Sequence, residues 1–191
     1  MKLHYCGKYN LDPQSLPHGE HMPNAVKFSE AGTEKQMALT ANLLAMALLV
    51  VFGVPALLRS GTRIDDQGFM IGCIAAILSG LPHELLHALC FQKDVYLYTN
   101  FRNGMMFVTG TETMSKTRFI WMSLLPNIIF GVIPYVIGML TPSLSAVLIF
   151  GTICLTMGAG DYYNVFNALT QMPRGSYTYM YQLSSYWYLP E

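Results

Sequence analysis

The sequence predicts an all-α polytopic membrane protein with about four transmembrane helices and a short cytoplasmic β-hairpin between the second and third helices. Charged residues make up only 12% of the 191 residues, against about 25% in an average globular protein. Four long apolar runs almost lack charge, and a helix of about 20 apolar residues crosses a bilayer. Lys plus Arg and Asp plus Glu each total 11, so the excess of basic charge typical of a nucleic-acid-binding protein is missing.

The four apolar runs predict the four helices. Residues 37–58 and 119–140 contain no charged side chain, as expected for complete membrane spans. Residues 69–91 and 144–172 contain one acidic residue each, and they are interrupted by glycine, by polar residues and, in the first of them, by Pro82. We therefore expect the second and fourth helices to be kinked or partly re-entrant.

Basic residues between the runs predict the orientation. Four spans place nine of the 11 basic residues on one side, and leave Arg59 and Arg63 on the other. The positive-inside rule then places both termini in the cytoplasm. This organisation divides the chain into a cytoplasmic segment (1–36), a transmembrane domain (37–172) and a tail (173–191), whose tyrosines are typical of an interfacial aromatic belt.

The second run ends in the motif His83-Glu84-Leu85-Leu86-His87. On a helix, His83 and His87 project from one face, one turn apart, so both imidazoles can bind one Zn²⁺. Glu84 then lies where its carboxylate can hold a metal-bound water and accept its proton. The alternative is a pair of helical histidines bonded to nearby backbone. That alternative leaves unexplained an acidic residue in an apolar run, which costs about 2.5–3.5 kcal/mol near the bilayer centre.

The third protein ligand is predicted to be Asp161, the acidic residue of the fourth run. With both termini inside, the second and fourth helices run in the same direction. His83 then lies about 21 Å along its run and Asp161 about 26 Å along its own, at about 1.5 Å per residue. The small residues 158–160 would permit close helix packing. The alternative roles for Asp161 are a helix N-cap and a partner for a tyrosine hydroxyl.

Two β-prone stretches, residues 95–99 and 105–110, flank the turn signal Asn103-Gly104 and predict the hairpin. A hairpin directly after the motif helix would present a strand edge beside the metal. An extended substrate segment could bind that edge by strand addition. The alternative is a plain cytoplasmic loop.

The remaining polar side chains give weaker indications of function. His18 and His21 lie in a segment without helical periodicity, and we interpret them as surface residues. Asn127, Asn164 and Asn167 lie in the apolar runs. Each could donate to an oxyanion, although interhelical hydrogen bonding is the commoner role.

This arrangement resembles the intramembrane site-2-type metalloproteases, and over most of the chain it is similar to the small bacterial membrane proteins called putative zincin peptidases. The residues that carry the likeness are His83-Glu84-Leu85-Leu86-His87, Met114-Ser115-Lys116-Thr117-Arg118, Leu124-Leu125-Pro126, Gly160-Asp161-Tyr162 and Met172-Pro173-Arg174-Gly175-Ser176. The resemblance implies that His83 and His87 are zinc ligands, Glu84 is the catalytic base and Asp161 is the third ligand. The chain departs from the site-2 pattern at Leu86, where those proteases usually have glycine.

The sequence therefore predicts a zinc metallopeptidase embedded in a bacterial plasma membrane, with residues 37–172 as its metallopeptidase-like domain. Its expected partners are the lipid bilayer and a membrane-protein or peptide substrate, with no nucleic acid, and self-association is left open. The alternative is a non-catalytic membrane protein, such as an adaptor, a pseudoprotease or a transporter, that binds metal with the same His and Asp residues.

Overall fold

Helices form from all four apolar runs, although only one run gives a single uninterrupted helix. The computed structural model describes residues 1–30, 34–60 and 66–190. The helices are α1 (Glu34–Ser60), α2 (Asp66–Leu78), α3 (Gly80–Leu89), α4 (Lys116–Pro126), α5 (Ile133–Leu140), α6 (Ser145–Met157) and α7 (Ala159–Gln171). A π-helical turn (Asn127–Val132) joins α4 to α5.

Two β-sheets accompany these helices. The strands are β1 (Leu3–Lys8), β2 (Val26–Lys27), β3 (Val95–Asn100), β4 (Met105–Gly110), β5 (Met114–Ser115), β6 (Tyr177–Tyr181) and β7 (Ser184–Tyr188). The first sheet has the order β1-β3-β4, with β1 parallel to β3 and β4 antiparallel to it. The second sheet has the order β2-β7-β6-β5 and is antiparallel throughout. The prediction of an all-α protein with a single short hairpin is therefore wrong.

The physical reason for this error is that three of the strand pairs, β1–β3, β2–β7 and β5–β6, join segments that are far apart in the sequence. Strand β1 alternates weakly, with mostly exposed side chains, and is held by β3, whose Val95 is the partner of Leu3. The predicted hairpin residues do pair, as β3 and β4, but they form two of three strands. The tail tyrosines form the β6–β7 hairpin, in which Tyr179 is paired with Tyr186.

Within the described residues, three helical stretches are long and apolar enough to cross a membrane: Lys35–Arg59, Asp66–Leu89 and Lys116–Leu140. Helices α6 and α7 meet at a bend of 49° and give a fourth span only if the bent pair is counted as one. These apolar helices are consistent with a membrane protein. The structure has three helical stretches that could span a membrane and one bent helix pair, in place of the four predicted transmembrane helices. Arg63, used to predict the orientation, lies outside the described residues.

Proline explains the interruption of the second run. Helix α2 ends at Leu78 and α3 begins at Gly80. Pro82 has no backbone N–H to donate to the carbonyl of Leu78, four residues earlier, so one helical hydrogen bond is missing at this point. The interruption is confined to Ser79, because the N–H groups of Ser79 and His83 still donate to carbonyls four residues earlier, at 2.9 and 2.8 Å. The break leaves the motif residues on the short helix α3.

One compact unit, which we call the helical unit, contains the described residues of Ala31–His83 and Leu124–Tyr163. Helix α6 is its most buried helix and packs against α1, α2 and α5. Glycines permit the close contacts, since a Cβ on Gly151 would lie 2.3 Å from the backbone nitrogen of Tyr135, and one on Gly138 would lie 2.5 Å from Leu148 Cα. Such small-residue contacts are typical of helices that pack in membranes.

The other compact unit, which we call the sheet unit, contains the described residues of Met1–Glu30, Glu84–Ser123 and Asn164–Glu191. Both sheets belong to it. Its apolar core is formed by residues from the strands, the helix ends and the N-terminal segment: Phe28, Ala88, Phe91, Val95, Met114, Phe119, Ala168 and Met172. Burial of this cluster holds the C-terminal end of α3 against the sheet residues, because Ala88 is 1% exposed and burial of apolar area is the main favourable term in folding.

Candidate metal centre

The motif residues converge on one face of helix α3, as their spacing predicts. One ligand atom from each of His83, Glu84 and His87 lies within 4.8 Å of the other two. His87 is buried, and His83 and Glu84 are half-buried. A group of donor atoms this close together on a single helix could hold a metal ion. Asp161 is not one of these three, but its carboxylate contacts His83, as described below.

The imidazole of His87 is oriented by the backbone of α4. Its Nδ1 lies 2.9 Å from the carbonyl oxygen of Met122. A carbonyl can only accept, so Nδ1 carries the proton, and the lone pair of a neutral ring is on Nε2. The carbonyl is available because Pro126, four residues further along α4, has no N–H to donate to it. Metal-binding histidines commonly donate their second nitrogen to a carbonyl in this way.

Asp161 lies against His83 near the start of α7. His83 Nε2 is 3.1 Å from Asp161 Oδ2, and the two side chains are 19% and 15% exposed. The side-chain amide of Asn127 donates to the same carboxylate oxygen at 2.7 Å. Asn127 is 1% exposed and is the first residue of the π-helical turn. The Asp161 carboxylate is therefore held in place by groups from two other helical segments.

The carboxylate of Glu84 reaches the edge of the first sheet. Its Oε2 accepts a hydrogen bond of 3.0 Å from the backbone N–H of Val108 in β4. Among the described residues, strand β4 is paired with β3 alone, so its other side is an edge of the sheet. Because successive N–H groups of a strand point to opposite sides, the N–H groups of Met106 and Gly110 point the same way as that of Val108. The motif glutamate is thus bound to the open edge of a strand.

A buried ion pair lies at the C-terminal end of α3 and bonds backbone groups there. Glu112 is 5% exposed, and its Oε1 lies 2.6 Å from Arg118 Nη2. The Arg118 guanidinium also donates to the carbonyl of Cys90, just beyond the last residue of α3. The second carboxylate oxygen of Glu112 accepts from the backbone N–H groups of Gln92 and Lys93. These contacts satisfy groups that a helix end leaves without partners and fix where the motif helix stops.

The donor set fits zinc. Two imidazole nitrogens and a carboxylate oxygen are ligands that Zn²⁺ takes in catalytic sites, where a fourth position stays open. Two ligand atoms at about 2.0–2.1 Å from one tetrahedral zinc ion lie about 3.3 Å apart. The observed 3.1 Å between His83 Nε2 and Asp161 Oδ2 is close to this separation. The proton arrangement of His87 also leaves its Nε2 as a lone-pair donor.

The other polar residues singled out in the sequence lie elsewhere. His18 and His21 are exposed, as predicted, and their rings contact Tyr181 of β6. His21 Nδ1 is 3.1 Å from the hydroxyl of Tyr179, and burial raises the pKa of that phenol. The same hydroxyl accepts a hydrogen bond of 3.2 Å from the backbone N–H of Met22.

The three asparagines differ in position. Asn127 contacts Asp161, as described above. Asn167 is 3% exposed, and its side-chain carbonyl accepts from the amide of Gln171 at 3.0 Å within α7. Asn164 is half-buried on the same helix. The structure therefore brings only Asn127 of these three, all of which are described, into hydrogen-bonding contact with a predicted ligand.

Four residues around the site were not identified from the sequence. The role of the Met122 carbonyl could have been found from the sequence. A proline in a helix has no N–H to donate to the carbonyl four residues earlier, and Pro126 stands four residues after Met122. Val108 lies in a stretch predicted to flank the metal and Arg118 in one that carries the family likeness. The roles of Val108, Glu112 and Arg118 themselves depend on tertiary contacts with α3 and its end.

Comparison with known protein families gives one match. Residues 76–177, more than half of the chain, match the family model described as "Putative zincin peptidase". The matched range contains His83, Glu84 and His87 as well as Asn127 and Asp161. No match was found among the curated proteins or among the solved structures.

Proposed function

Because the chain belongs to the family described as putative zincin peptidase, we propose that it is a membrane-embedded zinc metallopeptidase that hydrolyses peptide bonds in membrane or juxtamembrane segments. The observation that carries the proposal is the group of His83, Glu84 and His87, whose ligand atoms lie within 4.8 Å of one another at the end of an apolar helical stretch. An acidic side chain in such a stretch is costly and marks a functional site by default.

In this proposal His83, His87 and Asp161 are the protein ligands of the zinc ion. When bound, zinc supplies a Lewis acid for the scissile carbonyl and lowers the pKa of water towards neutrality. Glu84 accepts a proton from the attacking water and returns it to the leaving amine, as a general base and then a general acid. The hydrogen bond from the N–H of Val108 supports this role, because it holds the Glu84 carboxylate in a defined orientation.

The edge of β4 is the proposed binding site for the substrate backbone. Val108 bonds Glu84 with its N–H, so the outward groups of this strand lie next to the proposed base. A substrate segment that adds as a further strand would bond the outward groups of Met106. This mode requires an extended substrate, so a transmembrane helix must unwind before its peptide bond reaches Glu84.

The proposed location is the bacterial plasma membrane, with both termini in the cytoplasm. The support is the distribution of basic residues, nine of which fall on one side if the bent pair α6 and α7 is counted as a fourth span. Cleavage would then occur towards the cytoplasmic side of the membrane.

Mapping of new N-termini tests the reaction class. The full-length chain is reconstituted with a bacterial membrane-protein fraction in liposomes, and new N-termini are labelled and identified by mass spectrometry. We expect new N-termini in or beside transmembrane segments that disappear when zinc is chelated and when Glu84→Gln replaces the wild-type chain. The proposal fails if the wild-type chain produces no more new N-termini than Glu84→Gln.

The strand-addition mode gives a second expected result, for Met106→Pro. Proline removes an outward N–H and is tolerated at strand edges, and one hydrogen bond contributes about 0.5–1.5 kcal/mol. We therefore expect KM for a cleaved peptide to rise about 2- to 10-fold, with kcat and zinc affinity little changed. Met106→Ala, which keeps the N–H, is the matched control. Equal KM values for the two variants would exclude backbone pairing at this position.

A further inference from the structure

One dipeptide supplies a contact to two of the proposed zinc ligands. Asn127 donates from its side-chain amide to Asp161 Oδ2 at 2.7 Å. Pro126, the residue before it, leaves the Met122 carbonyl without its helical donor, and that carbonyl accepts from His87 Nδ1 at 2.9 Å. Both contacts therefore arise at the point where α4 ends and the π-helical turn begins.

We propose that Pro126 and Asn127 are positioning residues for the metal ligands His87 and Asp161. The inference rests on the proposed function, since it assumes that those two residues bind zinc. Partners that orient metal ligands set ring orientation, tautomer and basicity, and their loss typically weakens metal binding about 10- to 100-fold. Single π-helical turns occur frequently at functional sites, which agrees with a break that serves the ligands rather than the packing alone.

The packing around Asn127 is adapted to hold its amide in place. Gly158, the residue between α6 and α7, lies against the Asn127 side chain, and a Cβ added there would be 1.7 Å from Asn127 Oδ1. Any larger residue at this position would displace the amide. A Cβ on Gly160, two residues later, would meet nothing within 4 Å. The two glycines therefore form a matched pair, of which only one makes room for Asn127.

A purely structural role for Asn127 would give different results from a positioning role. A buried amide that only links two helices contributes to the stability of the fold, and its loss lowers the unfolding temperature without a specific effect on the metal. A positioning residue affects zinc affinity and the spectrum of a bound metal in a chain that remains folded. Zinc affinity, rather than cleavage, is therefore the informative measurement.

The test uses the full-length chain in detergent micelles, with zinc affinity measured by competition with a chelating dye. We expect Asn127→Leu, which keeps the branched shape of the side chain but removes the donor, to weaken zinc binding about 10- to 100-fold. We expect Gly158→Ala to do the same by displacing the unchanged Asn127, and Gly160→Ala to bind like the wild-type chain. The visible spectrum of the Co²⁺-loaded chain should change in Asn127→Leu and Gly158→Ala alone.

Pro126→Ala tests the other half of the dipeptide. Alanine restores the N–H that can bond the Met122 carbonyl, so it competes with His87 for the same acceptor. We expect zinc affinity to fall again by about 10-fold or more, although His87 itself is unchanged. If Pro126→Ala binds zinc as tightly as the wild-type chain, Pro126 is not a positioning residue.

The outcomes separate this inference from the proposed function. If Asp161→Ala loses zinc while Asn127→Leu and Gly158→Ala bind it as tightly as the wild-type chain, the positioning role is wrong and the ligand set stands. If Asp161→Ala binds zinc like the wild-type chain, the ligand set itself is wrong, and the inference is overturned with it. Should Asn127→Leu fail to fold, Gly158→Ala against Gly160→Ala decides the question.

Discussion

Glu84→Gln is expected to abolish most of the peptidase activity while zinc remains bound. A positioned general base typically contributes about 10²- to 10⁴-fold to a rate, so kcat should fall by that amount. Glutamine is nearly isosteric and keeps an oxygen that can accept from the N–H of Val108, so the contact with β4 can persist. The measurement is the rate of cleavage of a peptide identified by N-terminal mapping, with zinc content determined on the same samples.

The matched control for this change is Glu20→Gln. Glu20 is exposed and belongs to the N-terminal segment, so the same chemical change there should leave the rate unchanged. A Glu84→Gln variant that cleaves as fast as the wild-type chain would show that another group accepts the proton, and the proposed mechanism would be wrong.

Asp161→Ala is expected to weaken zinc binding by more than about 100-fold, because even the outer partners of metal ligands are worth about 10- to 100-fold. The change removes the carboxylate that lies 3.1 Å from His83 Nε2 and leaves two imidazoles. Binding is measured by competition with a chelating dye in detergent micelles. Asp161→Asn gives a second measure, since an amide oxygen keeps the shape but is a weaker ligand.

The control for the loss of a ligand is Asp94→Ala. Asp94 is exposed and contacts His4 at 3.2 Å, so it repeats the same kind of pair, an aspartate beside a histidine, away from the motif. The zinc affinity of Asp94→Ala should equal that of the wild-type chain. If Asp161→Ala also retains that affinity, Asp161 is not the third ligand, and the contact with His83 is a simple hydrogen bond.

The motif could be predicted from the sequence because its geometry is local. The spacing of His83 and His87 places both rings on one helical face regardless of the rest of the fold. The helix break before them was also readable, since Pro82 cannot donate to the carbonyl four residues earlier. Asp161 was predicted as a ligand for a similar reason, because an acidic residue in an apolar run demands an explanation wherever the chain folds, and its role as a ligand stays a prediction.

The two sheets could not be predicted from local patterns alone. Strand β1 is mostly exposed and becomes a strand because it pairs with β3, about 90 residues away, as Leu3 with Val95. Nothing in six residues of modest alternation specifies that partner. The β6–β7 hairpin did carry a signal, since Tyr177, Tyr179 and Tyr181 alternate with a period of two. Those tyrosines were interpreted as a membrane-interface belt because they follow an apolar run.

The contacts that orient the site show the same division. The free carbonyl of Met122 follows from Pro126 by chemistry alone, but which side chain takes it depends on where α3 lies. The hydrogen bond of Glu84 to Val108 likewise requires the position of β4 beside the motif helix. The residues that carry the chemistry can thus be predicted from the sequence, whereas the groups that hydrogen-bond to them depend on the tertiary structure.

The most direct test of the central claim is the zinc content of the purified full-length chain, measured by inductively coupled plasma mass spectrometry beside His83→Ala. His21→Ala is the control, since His21 is exposed and contacts tyrosines of the second sheet. We expect about one zinc ion per chain in the wild type and in the control, and almost none in His83→Ala. Wild-type chain that binds no zinc when loaded with it, or equal zinc in all three proteins, would contradict the account.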